Sequence, residues 1–464
     1  MASYPCAIHV HSTFSGGRYT LPELTAVARR YGIAAIVLTD SLNVNIQYGL
    51  PPFRHIWWYA RHLPSILTAD PADYLAAIRR ENARQHDVLY LPGFEVCPRY
   101  YWTGRLRDNN LVCHDHQRNL VVIGAATPRQ MAAVPEATGF TWRRHAPWIV
   151  VSRALLALFG LALLALLFLP GFLARRSAYS RRELRRSVLA GVLAPVLLLM
   201  VLFEWAARRW AGGDIYEPDP TLQTEQRVLD ALAADGLIAY WAHPEATDDH
   251  DFQYRGRGFK LQTRPYPEVL ERTRGYAGFG GVYEDRNTLT DPGGAWDAVL
   301  MEHLQGQRAA PTWCFGEMLY HYEGQAGKKM RNVETVVWAP RRTTSDLLAA
   351  LRQGRFYARR NAEDQSLVLA DWRIAPVATA TAWQVNLRVE SARAGEPIAA
   401  VLIRNGAVAA RTQGVTPLEW NWTDAAGHAA APAYYRVIVT GAPPLKAVSN
   451  PLFTGPDRET KGGA

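Results

Sequence analysis

Cysteine and lysine are both scarce in this chain of 464 residues, which has four Cys and, among 51 basic residues, only five Lys. The cysteines, at positions 6, 97, 113 and 314, show no C-x-x-C spacing, which argues against a zinc ribbon and gives no disulfide framework. Buried free thiols are the expectation for that pattern. With lysine so rare, the formal net charge of +9 rests on arginines spread along the chain, with one local cluster, so nucleic acid is not an expected partner. Residues 1–5 hold neither a basic stretch nor an apolar run, so no signal peptide is expected there. The length and the 48% apolar content suffice for two or three folded domains.

What is present begins with Ile8-His9-Val10-His11-Ser12. Two histidines one residue apart on a strand share a face, because side chains alternate with a period of two. A helix follows from Pro22 to Tyr31, and Ile33 to Leu38 reads as a buried strand ending in Thr39-Asp40. Two further acids or histidines stand at strand ends, Glu95 in Gly93-Phe94-Glu95 and His243 in Ala242-His243-Pro244, and the segment Gly316-Glu317-Met318-Leu319-Tyr320-His321 follows the strand Pro311 to Gly316. In barrels of parallel strands, functional groups gather at the C-terminal strand ends, where residues distant in sequence meet. Imidazole and carboxylate are also the donors that divalent ions take.

These pieces, with Gly354-Arg355-Phe356-Tyr357, resemble the polymerase-and-histidinol-phosphatase (PHP) superfamily of metal-dependent hydrolases, and within it the carbaryl-hydrolase-like branch. The resemblance implies a distorted barrel of about seven β/α units that holds two or three divalent ions (Zn, Mn or Fe) and hydrolyses small phosphorylated substrates. Carried over by position, it makes His9, His11, Glu95, His243 and His321 metal ligands, and gives Asp40 and His321 catalytic roles. The sequence departs from the family pattern at three places. Ser41 follows Asp40 where a histidine is expected, and Leu319 stands where a carboxylate is expected. Asn119 takes a further histidine position, which leaves His116 or His114 as the candidate ligand there. Glu317, two residues from Leu319, is the neighbour able to replace its missing carboxylate. The metal site is therefore expected to be incomplete.

The barrel pattern is interrupted. Residues 154–174 carry no charge over 21 positions and residues 187–203 none over 17, long enough or nearly so to cross a hydrocarbon core of about 30 Å. Leucine-rich runs there leave no polar face, and Trp142, Trp148, Trp205 and Trp210 flank them as interfacial anchors. A hairpin of two spans keeps both halves of the barrel on one side of the bilayer. Six arginines in the loop 175–186 would place that loop in the cytoplasm. Exporting some 150 preceding residues without a signal peptide argues the other way, so the expected location is a bacterial inner membrane with the barrel facing the cytoplasm. The stretch 48–59, rich in aromatics and proline, either covers the mouth of the site or packs under a loop.

From about Leu367 the pattern alternates with period two, with a hairpin at Asn405-Gly406 and no helix, as in a small immunoglobulin-like β-sandwich. The expected organisation is thus an α/β chain: a (β/α)7-type barrel over 1–147 and 211–362, a transmembrane helical hairpin over 148–210, the sandwich over 363–455 and a disordered tail over 456–464. Two functions remain open: a membrane-anchored metal-dependent hydrolase of phosphate esters, or a non-catalytic relative that binds a ligand or partner at the membrane.

Overall fold

Strand character at the N-terminus begins a sheet whose strands alternate with helices. In the computed structural model, which describes residues 1–176, 179–210, 214–254, 256–285, 287–377, 382–424 and 432–455, β1 (Ala2–Val10) leads into α1 (Leu21–Tyr31) and β2 (Ala35–Leu38). Thr20 and Glu23 form a capping box on α1, and Gly32 ends it in the left-handed region. Next, α2 (Pro71–Arg84) starts where the Asp70 carboxylate accepts the Ala72 N–H at 2.7 Å, and it returns the chain to β3 (Leu89–Val96). The succession continues with β4 (Leu120–Ile123), β5 (Ile238–Trp241), β6 (Gly278–Val282) and β7 (Trp313–Gly316).

Hydrogen bonding orders these strands β7-β6-β5-β4-β3-β2-β1. The residues after β7 lie against β1, where Met318 N–H donates to Ile8 O, Tyr320 N–H to His9 O and His11 N–H to Tyr320 O. The expectation of uniformly parallel strands is corrected at β4, which runs antiparallel to both β3 and β5. The reversal brings the start of β4 to the end of the sheet where β1, β2 and β3 finish. The side chains of Leu38, Phe94, Val122, Trp241 and Phe279 are buried with helical Leu24, Leu75 and Leu229 in one core.

The apolar insertion forms α3 (Trp142–Leu173) and a second run, Arg181–Val188, which passes through a π-helical turn at Leu189–Leu193 into Ala194–Trp210. Both are long and apolar enough to cross a membrane, and most of each lies outside any protein core. The stretch expected to be a loop at 48–59 is instead part of an antiparallel hairpin, Val44–Gly49 with Trp58–Leu63. Its tip packs Ile56 against Phe140, Ile149, Met200 and Phe203 at the foot of the two helices.

Beyond β7, β8 (Val333–Ala339) and β9 (Phe356–Arg360) extend the sheet from β1, and the C-terminal strands continue it. Lys446–Ser449 pairs with β9 and then with Ala433–Thr440, followed by Pro397–Arg404 and Ala407–Val415. A separate three-stranded sheet, Leu367–Pro376, Trp383–Ser391 and Leu418–Asp424, faces them across a core containing Trp372, Leu387, Tyr435 and Val437. Alternate residues of these strands face inward, as a two-layer β arrangement requires. The tail expected at 456–464 lies outside the described residues.

Candidate metal centre

The two histidines of H-x-H reach the site by a route that alternation does not describe. Between Ile8 and Val10 the pairing of β1 with β2 slips by one residue, so His9 is the extra residue of a bulge, with φ +69°. A bulge re-aims the side chain it carries, and His9, fully buried, turns between two carboxylates. Its Nε2 lies 2.9 Å from Glu95 Oε1 and its Nδ1 lies 2.9 Å from Glu317 Oε2. Burial alone would push the His9 pKa down; the two carboxylates outweigh it and raise it to about 9. Against the upward push of burial, His9 holds Glu95 well below the usual carboxylate range and, with His243, brings Glu317 down to about 2.

His11 stays neutral: burial lowers its pKa to about 3, against the opposing charge of Glu95. Its tautomer follows from its neighbours. Ser15 Oγ is 2.5 Å from Asp40 Oδ1 and 3.1 Å from His11 Nδ1. Asp40 is ionised above its burial-raised pKa of about 6 and accepts only, so the Ser15 proton goes to Asp40 and the hydroxyl oxygen accepts Nδ1–H of His11. That leaves a lone pair on Nε2, which is buried and has no hydrogen-bond partner, 3.6 Å from Glu95 Oε2. Asp40 also accepts the N–H and hydroxyl of Ser12. Its oxygens are thereby engaged by Ser12 and Ser15, and it reaches His11 through the Ser15 hydroxyl.

Glu317 does what Leu319 cannot. Besides His9 it accepts the hydroxyl of Tyr240 at 3.1 Å and the backbone N–H of His243. His243, with φ +27°, stacks over His9 at 5.5 Å and lies 14% exposed on an open cleft of about 680 Å³ shared with Asp248, Leu319 and Lys328. Leu319 contributes its carbonyl to Lys328 Nζ at 2.9 Å. His321 stacks on His11 at 4.6 Å and bonds Gln325 through Nδ1, so it faces the same centre from its rim. Two groups of possible ligands result, His9–His11–Glu95 and His9–His243–Glu317, and they share His9.

The departures from the family pattern find their places here. Ser41 donates its hydroxyl to Glu95 Oε2 at 3.2 Å, and Asn119 donates its amide to Glu95 Oε1 at 2.6 Å. Asn119 reaches Glu95 because β4 runs backwards and starts at the site. His116 and His114 do not join them. His116 Nε2 is 3.0 Å from Asp248 in the neighbouring small sheet, and His114 bonds Thr103 at 2.7 Å. That sheet contains the strand Asp248–Tyr254 paired with Arg257–Thr263.

Gly280 is the site residue that sequence reasoning missed. A β-carbon there would stand 1.7 Å from Glu317 Oε1, so only glycine leaves room for that carboxylate. Its one local signal is Gly280-Gly281 in an otherwise apolar strand, a cue for close backbone approach.

No family model and no curated protein matches the chain. Among solved structures it is similar to a two-domain protein from Bacteroides vulgatus, described as containing a predicted PHP-like metal-dependent phosphoesterase, at 10% identity and a TM-score of 0.37 over 98% of this chain and 88% of that one. It is also similar to an amidohydrolase from Chromobacterium violaceum with bound sulfate and no metal, at 15% identity and a TM-score of 0.29 over 69% and 88%. Likenesses at these scores settle neither fold nor activity.

Proposed function

We propose that the chain is a membrane-anchored, metal-dependent hydrolase of the PHP type acting on a phosphate ester, with its strands β1–β7 forming a distorted (β/α)7 barrel and its C-terminal strands an immunoglobulin-like sandwich. The observation that carries this reading is the buried, unpartnered Nε2 of His11 beside His9 and Glu95. A buried polar atom without a partner costs about 1–3 kcal/mol, and a divalent ion is the partner that imidazole and carboxylate donors fit.

His9 limits the number of ions. Without an ion the raised pKa leaves both ring nitrogens protonated. Binding an ion would require loss of one proton, and a neutral imidazole has one lone-pair nitrogen and one N–H, so His9 would serve one of the two groups as a ligand and the other as a donor. The free lone pair of His11 Nε2 lies on the Glu95 side, which makes Glu317 the partner that orients His9 through Nδ1–H. Nε2 of His9, Nε2 of His11 and Glu95 would then hold the ion, at a centre bordered by His243 and His321. A divalent ion there would polarise a phosphoryl oxygen and acidify a water molecule. Lys328, on the cleft, offers an ammonium to an anionic substrate. Asp40, through Ser15, keeps His11 in the tautomer that binds.

One observation favours a non-catalytic relative that only binds a ligand: Leu319 supplies no donor where the PHP pattern has a carboxylate. Metal analysis by mass spectrometry of the full chain in detergent, after loading with Zn, Mn or Fe, paired with hydrolysis of a phosphate monoester, separates the two. Bound metal with metal-dependent phosphate release supports the hydrolase, and bound metal without turnover supports the relative. A chain that binds no ion overturns the hydrolase and leaves the non-catalytic relative.

A further inference from the structure

The hairpin Val44–Leu63 has features that the metal centre does not use. Leu50, Trp57 and Tyr59 at its tip are 41%, 52% and 63% exposed, and Pro51 and Pro52 beside them are exposed as well. Between Asp40 and Asp70 there is no acidic residue, whereas Arg54 and Arg61 are basic. An exposed apolar tip on a segment free of acids suits a layer that is apolar on one side and anionic on the other.

The depth of the hairpin is set by contacts with the two apolar helices. Arg153 and Glu204 are the charged residues bordering the uncharged runs 154–174 and 187–203 at the end opposite the loop 175–186. Arg153 lies 4.2 Å over the ring of Trp58 and donates to Trp58 O. Glu204 accepts the backbone N–H of His55 and pairs with its Nδ1, both at 2.9 Å. Charges bordering a spanning segment sit at the boundary between hydrocarbon and headgroups, the level at which Trp and Tyr concentrate. The tip is therefore tied to that level from both helices, and Ile56 shares their apolar core.

We propose that this hairpin is a third membrane-contacting element, lying in the headgroup layer of an anionic bilayer with Leu50, Trp57 and Tyr59 at the acyl boundary. The inference rests on the spanning reading of the two helices. Its base adjoins Ser41, which bonds Glu95, so the bilayer surface and the candidate metal centre are held by one continuous segment. A water-facing loop or a protein-binding surface are the other uses such a tip has.

The test attaches a nitroxide to the full chain at Trp57→Cys, with Tyr59→Cys as a second probe, in vesicles of phosphatidylcholine and phosphatidylglycerol. Leu164→Cys, in the first apolar helix, and Glu419→Cys, on the C-terminal sheet, serve as references, and the unsubstituted chain is the labelling blank. Collision with dissolved oxygen is compared with collision with a water-soluble nickel chelate. The expected result is an oxygen-to-nickel ratio at 57 and 59 severalfold above that at 419 and below that at 164. Ratios at 57 and 59 equal to that at 419, with 164 still favouring oxygen, overturn the inference and leave the spans intact. Labels at 57 and 59 shielded from both reagents overturn it in favour of a protein contact. A nickel-accessible label at 164 removes the spanning reading and the inference with it.

Discussion

Gly280 and Glu317 fit each other across β6: a β-carbon on the glycine would stand 1.7 Å from the carboxylate oxygen that takes the backbone N–H of His243. No rotation of a methyl group relieves that distance, and the carboxylate cannot retreat without leaving Tyr240 and His9. Gly280→Ala is expected to displace Glu317, to destabilise the fold by about 1–3 kcal/mol as overpacking does, and to weaken metal binding. Thermal unfolding in detergent and calorimetric titration with Zn or Mn read the two effects. An alanine variant with unchanged metal affinity would show that Glu317 does not set the position of His9.

The two carboxylates around His9 are expected to respond differently to loss of charge. Glu95→Gln removes a ligand and should abolish binding of the ion. Glu317→Gln keeps the shape and an acceptor for the ring N–H, so it should lower affinity by about 10–100-fold, the usual effect of losing a group that orients a ligand. Titration of both variants with the same metal decides the assignment. The reverse order would move the ion to the His9–His243–Glu317 side.

What could be read from the sequence was local. The H-x-H pair, Glu95 and His243 announce themselves by residue type at strand ends, and the apolar helices by length and lack of charge. The bulge at His9 could not be read, because nothing in Ile8-His9-Val10 distinguishes a regular strand from one with an extra residue. The reversed direction of β4 was equally hidden: Leu120 to Ile123 is apolar throughout and carries no sign of its sense. The ligand role given to His116 rests on its place just upstream of Asn119, whereas in the fold its ring pairs with Asp248 of the neighbouring sheet. Gly280 acts through Glu317, 37 positions later in the chain, a proximity that the pairing of β6 with β7 creates.

Arg436 and Asp297 join the C-terminal strands to the helix Ala295–Leu304. They are 0% and 2% exposed, and the guanidinium donates twice to the carboxylate, at 2.8 and 2.6 Å, while Tyr434 donates a third hydrogen bond. Arg436→Met leaves a buried carboxylate without its counter-charge and is expected to cost about 3–5 kcal/mol. Asp297→Asn with Arg436→Met should recover much of that loss, because neither charge then remains buried. Thermal unfolding of the two variants checks this, and an equal loss in both would point to packing against Trp296 rather than charge.

Glu136 gives the stability of the chain a pH dependence of known sign. It is buried outside the apolar helices, beneath the hairpin. It accepts from Asn43 at 2.7 Å, has Arg144 3.8 Å away and leaves Oε2 without a partner. Burial raises its pKa to about 7, against the opposing effects of Arg144 and Asn43. In the unfolded chain the same group titrates near 4.3. Between these values the folded state holds the proton and the unfolded state does not, so its contribution to stability falls as pH rises from about 4 to about 7 and is flat above. Glu136→Gln can still accept from Asn43 and carries no charge to desolvate. It should therefore remove that slope and stabilise the protein at pH 8 by up to about 4 kcal/mol, at roughly 1.4 kcal/mol per pKa unit. The check is the unfolding midpoint of both proteins at pH 5 and pH 8. The gap between them should be small at pH 5 and widen at pH 8. A gap that is the same at both would mean that Glu136 is ionised in the folded chain throughout, neutralised by Arg144.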